Sequence, residues 1–69
     1  MKRAILDALE AQSQADIAHA AATLKIYFES SVGIGEHPQH VEECNKLIDK
    51  IANAKEKLEV LKEFEPEKL

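Results

Sequence analysis

The sequence is poor in cysteine, in helix-breaking residues and in aromatic side chains. Cys44 is the single cysteine of the 69 residues, so the chain lacks the second thiol of an intrachain disulfide, and one thiol is typical of a reducing cytosol. No run of about 18 apolar residues is present, which argues against a membrane-spanning helix. Asp7 and Glu10 interrupt the apolar residues near the start, so no signal peptide is expected. We therefore expect a soluble, cytoplasmic protein.

Positive charge and aromatic rings are also scarce, and both shortages bear on nucleic-acid binding. Nine Lys and Arg against thirteen Asp and Glu give a net charge of −4. Nucleic-acid binding usually requires a basic face that neutralises phosphates. Two Phe, one Tyr and no Trp leave few rings that could stack on bases. Nucleic acid is therefore an unfavoured partner.

Helix-forming residues, by contrast, are abundant and lie in two long segments. Residues 2–31 hold neither Gly nor Pro and are rich in Ala, Leu and Gln, which are strong helix formers. The first helix is predicted there. Gly33 suits the left-handed position that follows a helix, so residues 32–37 are predicted to form a turn.

Two prolines set the predicted bounds of the second helix, residues 38–64. Pro38 fits the first position of a helix, because its fixed φ is helical and its missing N–H is no loss there. His37 is disfavoured as helix by the proline that follows it and becomes the expected N-cap residue. Pro66 disfavours helix at the residue before it, so residues 65–69 are predicted to form a frayed tail.

Apolar residues repeat at helical spacing on both segments and predict how the two helices pack. The spacings alternate between three and four residues, as in the core positions of packed helices. Two helices of similar length joined by a short turn are typical of an antiparallel hairpin. We predict an all-α fold with a single domain over residues 1–69. The predicted intramolecular core consists of Leu6, Leu9, Ile17, Leu24, Phe28, Cys44, Leu47, Ile51, Leu58 and Leu61.

A second stripe on the first helix lies about 180° from the core stripe and consists only of alanine. Small residues in a line allow two helices to approach closely, and a single hairpin of this size barely offsets its conformational entropy. We therefore predict a homo-oligomer, most simply a dimer that forms a four-helix bundle. The alternative is that Ala is present only as the best helix former at exposed positions. The predicted interface residues are Ala4, Ala8, Ala11, Ala15, Ala18 and Ala22.

His37, His40 and Cys44 have a spacing found among metal ligands, H-x2-H-x3-C. Imidazole and thiolate both bind zinc. Against a metal site, Cys44 occupies a core position, where a lone cysteine is usually a small hydrophobic residue, and His37 already has a capping role. We therefore expect no metal and no cofactor. A two-helix hairpin also offers no pocket for a substrate, so no catalytic residues and no enzymatic activity are expected.

The turn and the second helix resemble a group of small uncharacterised proteins encoded by tailed bacteriophages that infect marine bacteria. The resemblance is carried by the sequence GIGEHP at residues 33–38 and by the pattern I-x-x-A-x-x-K-L-E-x-L at residues 51–61. It implies a phage or marine metagenomic origin and, for a phage protein, a location in the host cytoplasm. It implies no activity.

Taken together, these features predict a structural or protein-interaction module that self-associates through apolar helix surfaces. Another protein is a further candidate partner. The alternative function comes from architecture: the plasmid copy-number regulator Rop is similarly a short acidic helical hairpin that dimerises and binds paired RNA loops. An RNA-binding face on the first helix would rely on Lys2, Arg3 and Lys25, the cations of that helix.

Overall fold

The computed structural model describes residues 1–29 and 39–65, and all the regular structure within these two ranges is helical. Helix α1 is Lys2–Glu29 and helix α2 is His40–Lys62. The two helices pack against each other, and the particle measures 51 × 15 × 15 Å. The predicted all-α helical hairpin is therefore confirmed.

Two contacts, one at each end of the hairpin, show that the helices are antiparallel. Arg3, near the start of α1, pairs with Glu65, just after α2, with 2.6 Å between Nη1 and Oε2. Tyr27, near the end of α1, meets His40 edge-to-face, with ring centroids 6.1 Å apart. We call these two ends of the hairpin the Arg3 end and the Tyr27 end.

Glu65 was expected to begin a frayed tail, but its ion pair with Arg3 holds it in place. Residues 66–69 lie outside the described residues.

The start of α2 is later than the sequence predicts. The helix begins at His40, with Gln39 as its N-cap residue, whereas the predicted start is Pro38 with His37 as the cap. Those two residues, like the predicted turn with Gly33, lie outside the described part of the chain. The Gln39 side chain makes no capping hydrogen bond there, so the cap residue contributes only its backbone.

The end of α2 is earlier than predicted. The helix stops at Lys62, two residues before the expected boundary at Phe64. The N–H groups of Glu63 and Phe64 donate to carbonyls three residues earlier, at 3.0 and 3.1 Å. Such bonds tighten the last turn of a helix, and they fit a chain that approaches Pro66, which disfavours helix at the preceding residue.

The core between the helices is narrow and depends on small residues. Within the described ranges, no large side chain is completely withdrawn from solvent. The buried residues are Leu6, Ser13, Ala20, Leu24 and Ala54. Six other residues of the predicted core are half-buried, namely Ile17, Cys44, Leu47, Ile51, Leu58 and Leu61. Small buried residues let the helices approach closely, but they leave much of the larger apolar side chains in contact with solvent.

Two residues predicted for the core do not lie in it. Phe28 is 70% exposed and Leu9 is 48% exposed. Successive residues are about 100° apart around a helix, so Tyr27 and Phe28 cannot both point at α2. Tyr27 is half-buried and takes the position against His40, which leaves Phe28 at the side of the hairpin. Leu9 lies at the edge of the contact, in a cavity that it lines with Val60.

Candidate functional site

The stripe of six alanines on α1 is exposed along its whole length. A helix turns by about 100° per residue, which places these residues on the side opposite the buried Leu6, Ser13 and Leu24. The stripe consists of Ala4, Ala8, Ala11, Ala15, Ala18 and Ala22, all exposed. We call this surface the alanine face. Because α2 packs on the other side of α1, nothing in the hairpin's described residues covers the alanine face.

The alanine face has the same spacing when it is read from either end of the helix. Three pairs of alanines are each centred on position 13: Ala4 with Ala22, Ala8 with Ala18, and Ala11 with Ala15. An identical helix that runs in the opposite direction, with its own position 13 level with this one, therefore places an alanine opposite every alanine. A parallel copy in the same register has the same property, so the spacing alone is compatible with two directions.

The borders of the alanine face carry exposed apolar side chains and a few charged ones, namely Asp7 between Ala4 and Ala11, and Lys25 and Glu29 beyond Ala22. Met1, 95% exposed, and Ile26, 59% exposed, extend the apolar surface at its two ends. Asp7, the carboxylate nearest to the stripe by helical position, accepts a hydrogen bond from Nε of Arg3 at 3.0 Å. Its charge is therefore partly neutralised within the same helix, which lowers repulsion across a contact between two copies of α1.

Of the three candidate metal ligands, the structure describes two, both at the Tyr27 end. His40 and Cys44 are one helical turn apart on α2 and are half-buried, whereas His37 lies outside the described residues. The Nε2 atom of His40 is buried without a hydrogen-bond partner in the described structure. In residues 1–29 and 39–65 no group of three or more His, Cys, Asp or Glu side chains is placed to hold a metal ion.

The hairpin has an open groove along each side, between the two helices. One groove, which we call the Phe28 groove, has two different halves. At the Tyr27 end it contains a cavity of about 300 Å³ lined by Tyr27, Phe28, His40, Val41 and Cys44. At the Arg3 end a cavity of about 370 Å³ is lined partly by charged side chains, among them Glu10, Lys55 and Lys62. Phe28 was predicted to lie in the core, so this apolar half was not predicted.

The groove on the opposite side, the Leu9 groove, has the reverse arrangement. Its apolar half is at the Arg3 end, where Leu9 and Val60 line a cavity of about 240 Å³. Its other half is charged, with Asp16, Lys46 and Lys57 among the side chains around a cavity of about 370 Å³. Cations and carboxylates alternate in this half, so it does not form a surface of one sign.

Arg3, one of the three cations of α1, is already engaged within the hairpin. Its Nη1 and Nη2 atoms donate to the two carboxylate oxygens of Glu65 at 2.6 and 3.1 Å, and its Nε donates to Asp7 at 3.0 Å. The hydrogen bonds with Glu65 are the main cause that raises the pKa of Arg3 above its ordinary value. Two carboxylates thus neutralise this charge, and Lys2 and Lys25 are the exposed cations left on α1.

Neither described helix is long and apolar enough to cross a membrane. Comparison of the chain with protein-family models, with curated proteins and with solved structures finds no match. The resemblance of residues 33–61 to phage proteins therefore stays a prediction.

Proposed function

We propose that this protein is a non-enzymatic structural module that acts by self-association, with the alanine face of α1 as its interface. The observation that carries the proposal is the exposure of all six alanines in a line whose spacing is symmetric about position 13. A face of methyl groups lets two helix axes come as close as about 8 Å, at the short end of the usual range. The resulting assembly is a dimer of hairpins, a four-helix arrangement in which the two α1 helices are central.

The energetics of the single hairpin support this proposal. Five of the described residues are buried, and three of them are Ala or Ser, so little apolar surface offsets the entropy of ordering the chain. Small domains with one thin core are usually marginal in stability unless something reinforces them. A second copy on the alanine face supplies additional burial without any change in the hairpin itself.

We propose that the two α1 helices run antiparallel. In that direction Met1 of one copy lies near Ile26 of the other, because the two positions are nearly symmetric about position 13. Both side chains are largely exposed in the hairpin, and the contact buries them at both ends of the interface. In a parallel arrangement Met1 meets Met1 at one end and Ile26 meets Ile26 at the other, and the helix dipoles also point the same way, which is less favourable.

The RNA-binding alternative has less support. A Rop-like function requires exposed cations on α1, and two carboxylates already neutralise Arg3. The remaining pair, Lys2 and Lys25, lie more than twenty residues apart, about 35 Å along the helix at 1.5 Å per residue. An interface that binds RNA usually presents a continuous basic patch.

The mass of the protein in solution tests the interface. We expect Ala15→Glu, in the middle of the alanine face, to lower the association state measured by sedimentation velocity or native mass spectrometry. One chain has a mass of 7.7 kDa, so assemblies that differ by one chain are readily distinguished by mass. Asn53→Glu, at an exposed position on the side of α2 away from the Phe28 groove, adds the same charge as a control and should leave the mass unchanged. Equal masses for wild type and Ala15→Glu would contradict the proposal.

Disulfide trapping tests the direction of the helices. Two chains are made in a Cys44→Ala background, one with Ala11→Cys and one with Ala15→Cys. The antiparallel register places position 11 of one copy opposite position 15 of the other, so a mixture should give the disulfide-linked heterodimer in preference to either homodimer. Homodimers from each chain alone, with no heterodimer preference in the mixture, would indicate the parallel arrangement.

A further inference from the structure

The apolar half of the Phe28 groove continues along both helices as two matching strips. On α1 the strip has spacings of four, three and four residues and consists of Ile17, Ala21, Leu24 and Phe28. On α2 it has spacings of three, four and three and consists of Val41, Cys44, Ile48 and Ile51. Residues three and four apart share one face of a helix. The cavity that Phe28, Val41 and Cys44 line together shows that the two strips meet in one groove.

Much of this apolar surface is open to solvent in the hairpin. Val41 is 79% exposed, Phe28 is 70% exposed and Ile48 is 49% exposed. Ile17, Cys44 and Ile51 are half-buried, so one side of each is covered by the other helix and the other side faces the groove. In helix bundles, apolar stripes with this spacing are covered by the neighbouring helices.

We infer that a second copy of this chain docks on the Phe28 groove, with the two grooves face to face and the two Tyr27 ends together. In this arrangement α1 of each copy lies against α2 of the other, and neighbouring helices are antiparallel throughout. The interface is separate from the alanine face, which lies on the side of α1 away from α2. The inference therefore goes beyond the proposed function and does not depend on it.

The distribution of charge selects a second copy and sets its orientation. Glu10 lines the charged half of the groove on α1, and Lys55, Glu59 and Lys62 line it on α2. The contacts of Arg3 with Glu65 and of Tyr27 with His40 place Glu10 level with this stretch of α2. Glu59 pairs with Lys62, so this stretch of α2 keeps a net positive charge. With the Tyr27 ends together, Glu10 of one copy faces that positive stretch of the other, and the apolar halves face each other. The inverted orientation instead places the charged half of one groove against Val41 and Ile48 of the other copy. This is costly, because the charged side chains lose hydration without gaining partners.

The outline of the hairpin on the groove side is of the order that a dimer interface requires. The molecule measures 51 Å by 15 Å on that side, an outline of about 770 Å², and each partner of a standard protein interface buries roughly 800 Å² of accessible surface. The Leu9 groove is a weaker candidate for the same role. Its apolar residues Leu9 and Val60 are 48% and 45% exposed, less than Val41 and Phe28, so it leaves less apolar surface for a partner to cover.

A paired substitution in the groove tests the inference, with a matched pair on the opposite side as the control. Val41→Glu with Ile48→Lys replaces two exposed apolar residues of the Phe28 groove. Ile5→Lys with Val60→Glu does the same on the other side, where Ile5 is 51% and Val60 is 45% exposed. Each pair of substitutions adds one negative and one positive charge, so the net charge of −4 is kept. Glu and Lys are better helix formers than Val and Ile, so each variant retains its helices, which circular dichroism checks.

Sedimentation velocity at several concentrations then separates this inference from the proposed function. If both interfaces exist, the wild type exceeds a dimer at high concentration, and the groove variant and Ala15→Glu each form a dimer. If only the groove interface exists, the wild type is a dimer, the groove variant a monomer, and Ala15→Glu stays a dimer. The inference would be overturned if the groove variant had the same association state as the wild type. It would also be overturned if the control pair lowered the association state as much as the groove variant does.

Spin labels test the orientation. Gln39 is exposed at the Tyr27 end and makes no side-chain capping bond within the described residues, so Gln39→Cys in a Cys44→Ala, Ala15→Glu background carries a label without disturbing either helix. With the Tyr27 ends together, the two labels of a dimer lie at the same end, and we expect a short distance. The inverted orientation separates them by at least the length of α2, about 35 Å at 1.5 Å per residue. A distance distribution confined to such long values would overturn the proposed orientation.

Discussion

Arg3 and Glu65, which are 62 residues apart in sequence, form a two-pronged ion pair that holds the open end of the hairpin together. The guanidinium donates at 2.6 and 3.1 Å to the two carboxylate oxygens, a geometry that is stronger and more specific than a single contact. Asp7 adds a third hydrogen bond within α1. The pair joins the first turn of α1 to the residues that follow α2, at the end of the hairpin opposite Tyr27 and His40.

We expect Glu65→Gln to loosen the Arg3 end without unfolding the hairpin. A neutral amide cannot match both donors of Arg3, so amide hydrogens in the second turn of α1, the first that are bonded within the helix, and in the last turn of α2 should exchange faster. Hydrogen-exchange mass spectrometry measures this. The control is Glu59→Gln, which breaks a pair with Lys62 inside α2 and should leave α1 unchanged. If exchange in Glu65→Gln were unaltered both near the start of α1 and in the last turn of α2, the ion pair would not hold these two segments together.

The Arg3 side of this pair is not sensitive to pH near neutrality. The pKa of Arg3 is raised in the folded chain, so the contribution of the pair is fully present below the ordinary arginine pKa. It is lost only as the pH rises through the higher folded-state pKa. The ratio of the protection factors of wild type and Glu65→Gln should therefore be the same at neutral pH and at about pH 10, well below the ordinary arginine pKa.

Ala54→Leu should destabilise the hairpin, because the helices are in close contact at this residue. Ala54 is 2% exposed, and extra methyl groups in a packed core typically cost about 1–3 kcal/mol. Ala52→Leu is the control, since Ala52 is exposed on the same helix and leucine is nearly as good a helix former as alanine. Denaturant unfolding at one fixed protein concentration compares the two variants. Equal stability would mean that the helices have room to separate at Ala54.

His40→Phe should stabilise the protein. The buried Nε2 atom of His40 has no partner among the described residues, and a buried polar atom without a hydrogen bond typically costs about 1–3 kcal/mol. Phenylalanine keeps a ring against Tyr27 and has a similar helix propensity, so a gain of about 1 kcal/mol is expected in thermal unfolding. His19→Phe is the control at an exposed position of α1 and should change little. A loss of stability in His40→Phe would indicate that Nε2 has a partner.

Local patterns in the sequence predicted much of the fold. The absence of Gly and Pro from residues 2–31 and the repeat of apolar residues every three or four positions were sufficient to predict two helices and an antiparallel hairpin. The same periodicity located the alanine face, because a helix of known pitch sorts its residues onto faces. For the helix ends the prediction was less accurate: α2 starts at His40 and ends at Lys62, each two residues inside the predicted boundary.

The candidate surfaces were predicted less completely. The sequence indicated an apolar stripe on each helix, but it placed Phe28 in the core, and the Phe28 groove was therefore not predicted. Adjacent residues such as Tyr27 and Phe28 lie on either side of the line facing α2. Which of them points inward depends on the rotation of α1 about its axis, and the packing of both helices together decides that rotation.

The sequence by itself determined that this chain forms two amphipathic helices with one alanine-only face, because helix propensity and periodicity are local properties. Only the tertiary structure decided how the helices are rotated, which apolar side chains stay exposed in the grooves, and that Arg3 meets Glu65. These features arise from contacts between residues far apart in the chain. No local pattern encodes them, since they depend on how two surfaces fit together.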